Sequence, residues 1–185
     1  MKPPVTGNAA GGGRILGSLR STAGGAGIVR IEDRYDTGID ELWAALTSPA
    51  RLARWFARVE GELRRGGTFR LESAELDQTG RVEACEPPRR LLLTTRETDQ
   101  SWRRGHRVPP FDQTLEATLR ADGEQTILVI EARGMPLNKI ASYGARWQIH
   151  AENLAAHLAG QQPSDPAARW DELIARYQDL AATID

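Results

Sequence analysis

The sequence predicts one α+β domain in which an antiparallel meander of about six to seven strands precedes a long helix. Three observations predict it. From Arg30 to Arg96 the chain runs through a strand, two short helices around the Thr47-Ser48-Pro49 break, the Trp55-Phe56 pair, the Gly66-Gly67 turn and then GRVEACEPPRRLLLTTR, an order that describes a cupped, ligand-enclosing architecture. Most links between the apolar runs are short and contain Gly, Asp or Pro, as in Arg65-Gly66-Gly67 and Ala121-Asp122-Gly123, and such links join neighbouring antiparallel strands. A helix can then run from about Leu137 to Leu158, with Gly160 just past its end as a stop.

The elements follow in order. Residues 1–27 are rich in Gly, Ala, Ser and Pro and offer little to bury, so most of them are expected to be mobile, with Ile15 to Arg20 able to add a short edge strand. The triple glycine Gly11 to Gly13 is linker, since no lysine follows at phosphate-loop spacing. Alternation from Ile28 to Tyr35 reads as a strand. Thr37 with Asp40 resembles a capping box for a helix whose inner face carries Ile39, Leu42, Trp43 and Leu46. Ser48 can cap a second helix that has Pro49 at its first position and turns Leu52, Trp55 and Phe56 inward. Strands are expected near Val59 to Leu63, Thr68 to Glu75, Gly80 to Cys85, Arg90 to Arg96, Asp112 to Ala121 and Glu124 to Arg133. Gly134-Met135-Pro136 breaks the pattern before the long helix, and Asp165-Pro166 opens a last helix with Trp170, Leu173, Ile174, Tyr177, Leu180 and Ile184 on one packing stripe.

Composition excludes several classes of function. The chain has 185 residues, 40% of them hydrophobic, enough for one sizeable core and short for two. A net charge of -1 speaks against a polyanion as the main partner, so nucleic acid is not expected. Cys85 is the single cysteine, which leaves no intramolecular disulfide, and its apolar neighbours give it the character of a small hydrophobe. No segment has the apolar length of a signal peptide or a membrane span, so a cytoplasmic location without membrane contact is expected. The three histidines are His106, His150 and His157; the last two would lie about 10 Å apart along a helix, too far for one ion. No nucleophile elbow ties a serine to a base. No metal and no cofactor is expected, and no residue is assigned as catalytic.

The motifs LWAALTSPARLARWF (Leu42 to Phe56), LRRGGTFRL (Leu63 to Leu71), GRVEACEPPRRLLLT (Gly80 to Thr94) and GARWQIHAENLAAHLAG (Gly144 to Gly160) resemble the START-like superfamily, also called SRPBCC, whose members have a helix-grip fold. The branch they resemble is that of the activator of the ninety-kilodalton heat-shock chaperone's ATPase. The resemblance covers residues 28–160 and implies a sheet curved around the long helix with an internal cavity between them. The leader, residues 1–27, and the helical extension, residues 161–185, lie outside the family's minimal domain and could cover a cavity mouth or build a dimer contact. Family members include carriers of hydrophobic small molecules, aromatase/cyclases and chaperone activators, so fold alone does not choose among them.

Tyr143, Trp147, His150 and Leu154 share one face of the long helix, and facing the sheet they would give an aromatic wall with a few polar groups. The expected ligand-binding set is Trp55, Phe69, Leu71, Tyr143, Trp147 and His150, with Arg96 and Glu131 as outer polar residues. Trp55 enters through the resemblance, because the family's second short helix lies near the cavity rim. The first reading is binding of a hydrophobic or aromatic small molecule. A second is an aromatase/cyclase-like or hydrolase-like enzyme in which His150 moves a proton with Tyr143 or Glu131. A third is a chaperone-associated module or other protein partner, including a homodimer. The loop holding Trp102, Arg103, Arg104, His106 and Arg107 is expected at the cavity mouth.

Overall fold

The computed structural model describes residues 14–73, 76–97 and 111–184. The triple glycine and the loop around Trp102 lie outside the described residues. Eight strands are formed: β1 (Gly17–Ser21), β2 (Ala26–Tyr35), β3 (Arg58–Gly61), β4 (Thr68–Ser73), β5 (Leu76–Glu86), β6 (Arg90–Glu97), β7 (Phe111–Asp122) and β8 (Gln125–Pro136). They make one sheet in the order β1-β2-β8-β7-β6-β5-β4-β3, with every neighbouring pair antiparallel. Helices α1 (Ile39–Thr47) and α2 (Pro49–Trp55) carry the chain from β2 to the far edge at β3, and the meander then returns strand by strand until β8 closes against β2. Helices α3 (Ile140–Leu158) and α4 (Pro166–Ala181) complete the helix-grip fold.

Alternation sets which face is core. In β2 Val29 and Ile31 are buried, and opposite them in β8 so are Ala132 and Ile130. Glu32, Glu131 and Arg133 point the other way, so one face of the sheet is apolar and one is charged. The apolar face packs on α1, α2 and the inner side of α3, where Leu42, Leu52, Tyr143 and Leu154 join the main core.

Several local expectations change. The eighth strand is β1, which lies within the leader, and the boundary expected at residue 27 falls within β2. Helix α1 starts at Ile39 after Gly38 and has no side-chain cap; Thr37 instead offers its carbonyl to the Thr126 hydroxyl at 2.8 Å, because that hydroxyl is buried and needs an acceptor. Ser48 occupies the cap position of α2, but only its backbone is used. The break expected at residues 134–136 is a bulge inside β8. Gly27 pairs with Met135 and Ile28 with Arg133, leaving Gly134 as the extra residue at φ 101°. A Cβ there would lie 2.7 Å from the Asp112 carbonyl oxygen, so the position needs glycine both for its backbone angle and for its space. A 3-10 turn, Leu137–Lys139, then precedes α3, which begins three residues later than expected. Helix α4 is capped as its sequence predicts: the Asp165 carboxylate accepts from the amide of Ala167 at 2.8 Å, with Pro166 in the first turn.

The outer side of α3 has its own core. Ala145 and Ile149 meet Leu173 and Tyr177 of α4, with Leu19 of β1 and Trp170 packed around them. The Tyr177 ring lies between two glycines. A Cβ on Gly144 would come within 2.3 Å of the ring, and one on Gly17 within 2.4 Å of its hydroxyl. That hydroxyl donates to Gln148 Oε1 at 2.7 Å. The same Gln148 oxygen accepts from the amide of Leu16, while its nitrogen donates to the Arg14 carbonyl and to Glu152. Arg169 of α4 closes the network by donating through two nitrogens to Glu152, at 2.7 and 2.8 Å. One glutamine side chain thereby ties together the segment leading into β1, α3 and α4.

Candidate functional site

The inner side of α3 presents aromatic rings in succession. Tyr143 meets Phe111 of β7 edge to face, with ring centroids 5.8 Å apart. The Arg146 guanidinium lies 4.9 Å from the centre of the same tyrosine ring. One turn further, Trp147 stacks on Phe56 at 6.1 Å. His150 meets both rings, Phe56 at 4.8 Å and Trp147 at 5.7 Å. Its Nδ1 is covered and has no hydrogen-bond partner. Burial among the rings, with Arg146 adding a smaller repulsion, pushes the imidazole pKa down to about 3, so His150 is neutral at physiological pH.

A cross-strand row lies on the same, apolar side of the sheet. Phe69, Gly80, Thr95 and Gln113 lie side by side on β4, β5, β6 and β7. Gly80 lacks a Cβ because the Phe69 ring fills that space, 2.4 Å from where a Cβ would sit. Thr95 is 4% exposed and Gln113 6%. Neither Thr95 Oγ1 nor Gln113 Oε1 has a hydrogen-bond partner. As cross-strand neighbours their Cβ atoms stand about 5 Å apart. Phe111, two residues from Gln113 on the same face, connects this row to Tyr143.

The structure separates the expected residues into two groups. Phe69, Leu71, Tyr143 and Trp147 are all buried on the apolar side, and His150, half-buried, packs against the Trp147 ring. Trp55 is buried there too, but its indole nitrogen donates to the Ala45 carbonyl at 3.1 Å, which binds α2 to α1. Arg96 and Glu131 lie on the opposite, charged face. Arg96 donates to Asp112 at 2.8 Å, and Glu131 accepts from Arg133 at 2.6 Å and from Arg20 at 3.4 Å. The cause is strand periodicity: each is one residue away from an inward position, Thr95 and Ile130 respectively. Proton transfer between His150 and Glu131 is therefore excluded by the sheet between them. Tyr143 and His150 are seven residues apart on α3, about 10 Å along the axis, and engage different rings.

Thr95, Gln113, Phe56 and Phe111 lie beside these residues and are not in the expected set. For the first two the sequence holds a signal. In the alternating sets Leu91, Leu93, Thr95 and Gln113, Leu115, Ala117, Leu119, one polar residue occupies a position its neighbours mark as inward. His157, two turns beyond His150, stands apart. Its Nε2 is covered without a partner, and burial together with Arg51 and Arg54 lowers its pKa. Cys85 is half-buried, and desolvation raises its thiol pKa, as for an inert thiol. Among the described residues no group of three or more His, Cys, Asp or Glu side chains could hold a metal ion, and no helix is long and apolar enough to cross a membrane.

The charged face carries an open groove of about 810 Å³ over β3 to β7. Its floor is a second cross-strand row, Glu60, Arg70, Thr79, Arg96 and Asp112, with Thr68, Arg81 and Thr94 beside it. Arg70 is held by both oxygens of Asp77, at 2.9 and 3.0 Å.

Comparison with known proteins agrees with this architecture. The crystal structure of CalU16 from Micromonospora echinospora superposes with a TM-score of 0.71 at 27% identity, covering 90% of this chain and 96% of that one. Its solution structure gives 0.72 at 25% identity, covering 94% and 98%. DynU16, described as a protein of the dynemicin biosynthetic locus, gives 0.63 at 25% identity over 74% of this chain and 49% of its own length. No curated protein matches the chain. Residues 36–159, from the end of β2 through α3, match the family described as activator of Hsp90 ATPase homolog 1-like protein. With two thirds of its length matched and its helix-grip sheet and helix in place, the chain belongs to that family.

Proposed function

We propose that the protein binds a hydrophobic aromatic small molecule between the inner side of α3 and the β4 to β7 part of the sheet. The observation that carries this reading is the band of Phe56, Trp147, His150, Tyr143 and Phe111, a run of rings on one helix and the elements facing it. Within the sheet, helix α3 packs mainly on β2 and β1, so the aromatic side chains, and not the helix backbone, span towards the far half of the sheet. Flat apolar ligands intercalate into such a band at little cost in specificity, because every aromatic ring offers both a face and an edge. The neutral imidazole adds a polar edge without a charge to desolvate. Support also comes from CalU16 and DynU16, the second of which is placed by its description in a biosynthetic locus.

Native mass spectrometry of the purified protein, followed by denaturing extraction, tests the reading. A stoichiometric aromatic adduct is expected, and it should be lost on Trp147→Ala. An adduct that survives Trp147→Ala, or a clean apo mass, would count against it.

A second reading has its own observation. The open groove on the charged face is lined by Arg70, Arg81 and Arg96, and arginine is enriched where proteins meet. If that reading holds, Arg70→Glu with Arg96→Glu abolishes partner capture and leaves small-molecule adducts unchanged.

A further inference from the structure

The cross-strand pair Thr95 and Gln113 is a polar feature that the fold does not use. Both residues are more than nine-tenths buried on the apolar side of the sheet, and their oxygens have no partner. Leaving a buried hydroxyl or amide oxygen unpaired weakens the folded state. Valine or leucine would fill the same volume without that cost, and adjacent positions in the two alternating sets are Leu93 and Leu115. A polar pair at this depth has a use only where something else supplies the hydrogen bonds.

Resting on the binding reading above, we infer that Thr95 and Gln113 form a ledge that recognises a hydroxyl group on the aromatic ligand. The chemistry of the two groups defines that partner. Gln113 Oε1 can only accept, so it requires a donor. Thr95 Oγ1 can donate and accept, so it completes the coordination of an oxygen that both gives and takes a hydrogen bond. A phenolic hydroxyl satisfies the two together, whereas a ring ether or carbonyl leaves Gln113 unsatisfied and an ammonium leaves no acceptor for the threonine proton. Position agrees with chemistry. The ledge adjoins Phe111, whose ring meets Tyr143, and shares its row with Phe69, whose ring lies across Gly80. A ring held by the aromatic band can therefore place its substituted edge on the ledge. The two oxygens are covered in the free protein, so binding exchanges that cover for the ligand. A site built around unpaired polar groups discriminates strongly against an analogue that lacks the matching hydroxyl.

The test compares 2-naphthol with 2-methylnaphthalene, which replaces the hydroxyl by a methyl of similar size. Binding is followed by the NMR shift of the Trp147 indole N–H, assigned by its loss in Trp147→Phe. For the unaltered protein 2-naphthol should bind on the order of ten-fold more tightly, the effect of about one charge-neutral hydrogen bond in a dry site. In Thr95→Val with Gln113→Leu that preference should vanish or reverse, while Thr95→Ser keeps it. Equal affinity for the two probes in the unaltered protein overturns the ledge and leaves the interior site standing. A preference that survives the double substitution also overturns it, since the hydroxyl is then read elsewhere. If neither probe moves the Trp147 resonance, the interior site itself falls and the ledge with it.

Discussion

The two sides of helix α3 treat buried polar groups in opposite ways. On the outer side Gln148 is fully buried, and both ends of its amide are used, by Tyr177 and the Leu16 amide on one end and by Glu152 and the Arg14 carbonyl on the other. On the inner side His150 Nδ1 is covered and has no partner, and across from α3 the same is true of Thr95 Oγ1 and Gln113 Oε1. One helix thus separates a polar network closed within the chain from polar groups left open. A closed network fixes position, and here it docks α4 and the start of β1 onto α3. Open groups weaken the free protein and are retained at sites that something else completes.

The largest effect is expected where the closed side is broken. Tyr177 fills a slot between Gly17 and Gly144 that no other side chain can enter without moving, so Tyr177→Ala should lose about 4 kcal/mol of stability, as other buried aromatic truncations do. Urea denaturation measures it, and a loss below about 1 kcal/mol would mean that α4 does not contribute to the core. Next comes Glu152→Gln. Arg169 is 9% exposed, and its only other carboxylate among the described residues, Glu172, is 65% exposed. Arginine stays protonated at any ordinary pH, so the guanidinium remains charged when Glu152 is neutralised. A cost of about 3 kcal/mol is expected, mostly from leaving that charge poorly compensated.

The same contrast explains what was legible in the sequence. The meander, the helix order and the α3 stripe follow from alternation and from the 3.6-residue period, which report burial. Burial alone placed Tyr143, Trp147 and Phe69 on the apolar side. It could not place Arg96 and Glu131, because a one-residue offset in a strand inverts the face. The cap expected from Thr37 failed for a tertiary reason, since the hydroxyl of Thr126 takes the Thr37 carbonyl. The Gly134 bulge depends on a close approach to β7 that no local pattern encodes. Nothing in the sequence around Gln148 marks it as buried. Its role exists only once β1 and α4 arrive on the outer side, and both segments lie outside residues 36–159 that match the family.

Acid sharpens the comparison from the open side. The unfolded chain takes up a proton on His150 near pH 6.5, whereas the folded protein does so only near pH 3. The folded pKa is depressed, so this histidine's contribution is complete above pH 6.5 and is lost progressively as pH falls from there towards 3. Between pH 7.5 and 4.5 it should account for about 3 kcal/mol of lost stability. His157 shifts in the same direction, so the measurement is the difference between the unaltered protein and His150→Phe, whose urea midpoint should vary less over that range. Identical pH profiles for the two proteins would show that the ring band does not exclude water from the imidazole.

Thr95→Val should act with the opposite sign. Removing a hydroxyl that has no partner, and keeping the volume, should stabilise the free protein by about 1 kcal/mol. The matching change on the closed side, Tyr177→Phe, should destabilise it by a similar amount, because there the hydroxyl donates to Gln148. Thermal melts of the two variants together read the comparison directly. Both moving the same way would remove the distinction between the sides.

The smallest effect is expected one residue away from Thr95. Arg96 points to the charged face, where its ion pair with Asp112 leaves the two side chains 56% and 74% exposed. Water and salt screen such a pair, so Arg96→Gln should change stability by less than about 0.5 kcal/mol. It should also leave the affinity for 2-naphthol unchanged within about two-fold, since the sheet stands between this side chain and the aromatic band. Adjacent residues of one strand would then differ in the sign of their effect on stability and in whether they affect binding at all. If Arg96→Gln instead weakens 2-naphthol binding ten-fold and Thr95→Val does not, the ligand occupies the open groove on the charged face, and the unpaired oxygens on the inner side have another explanation.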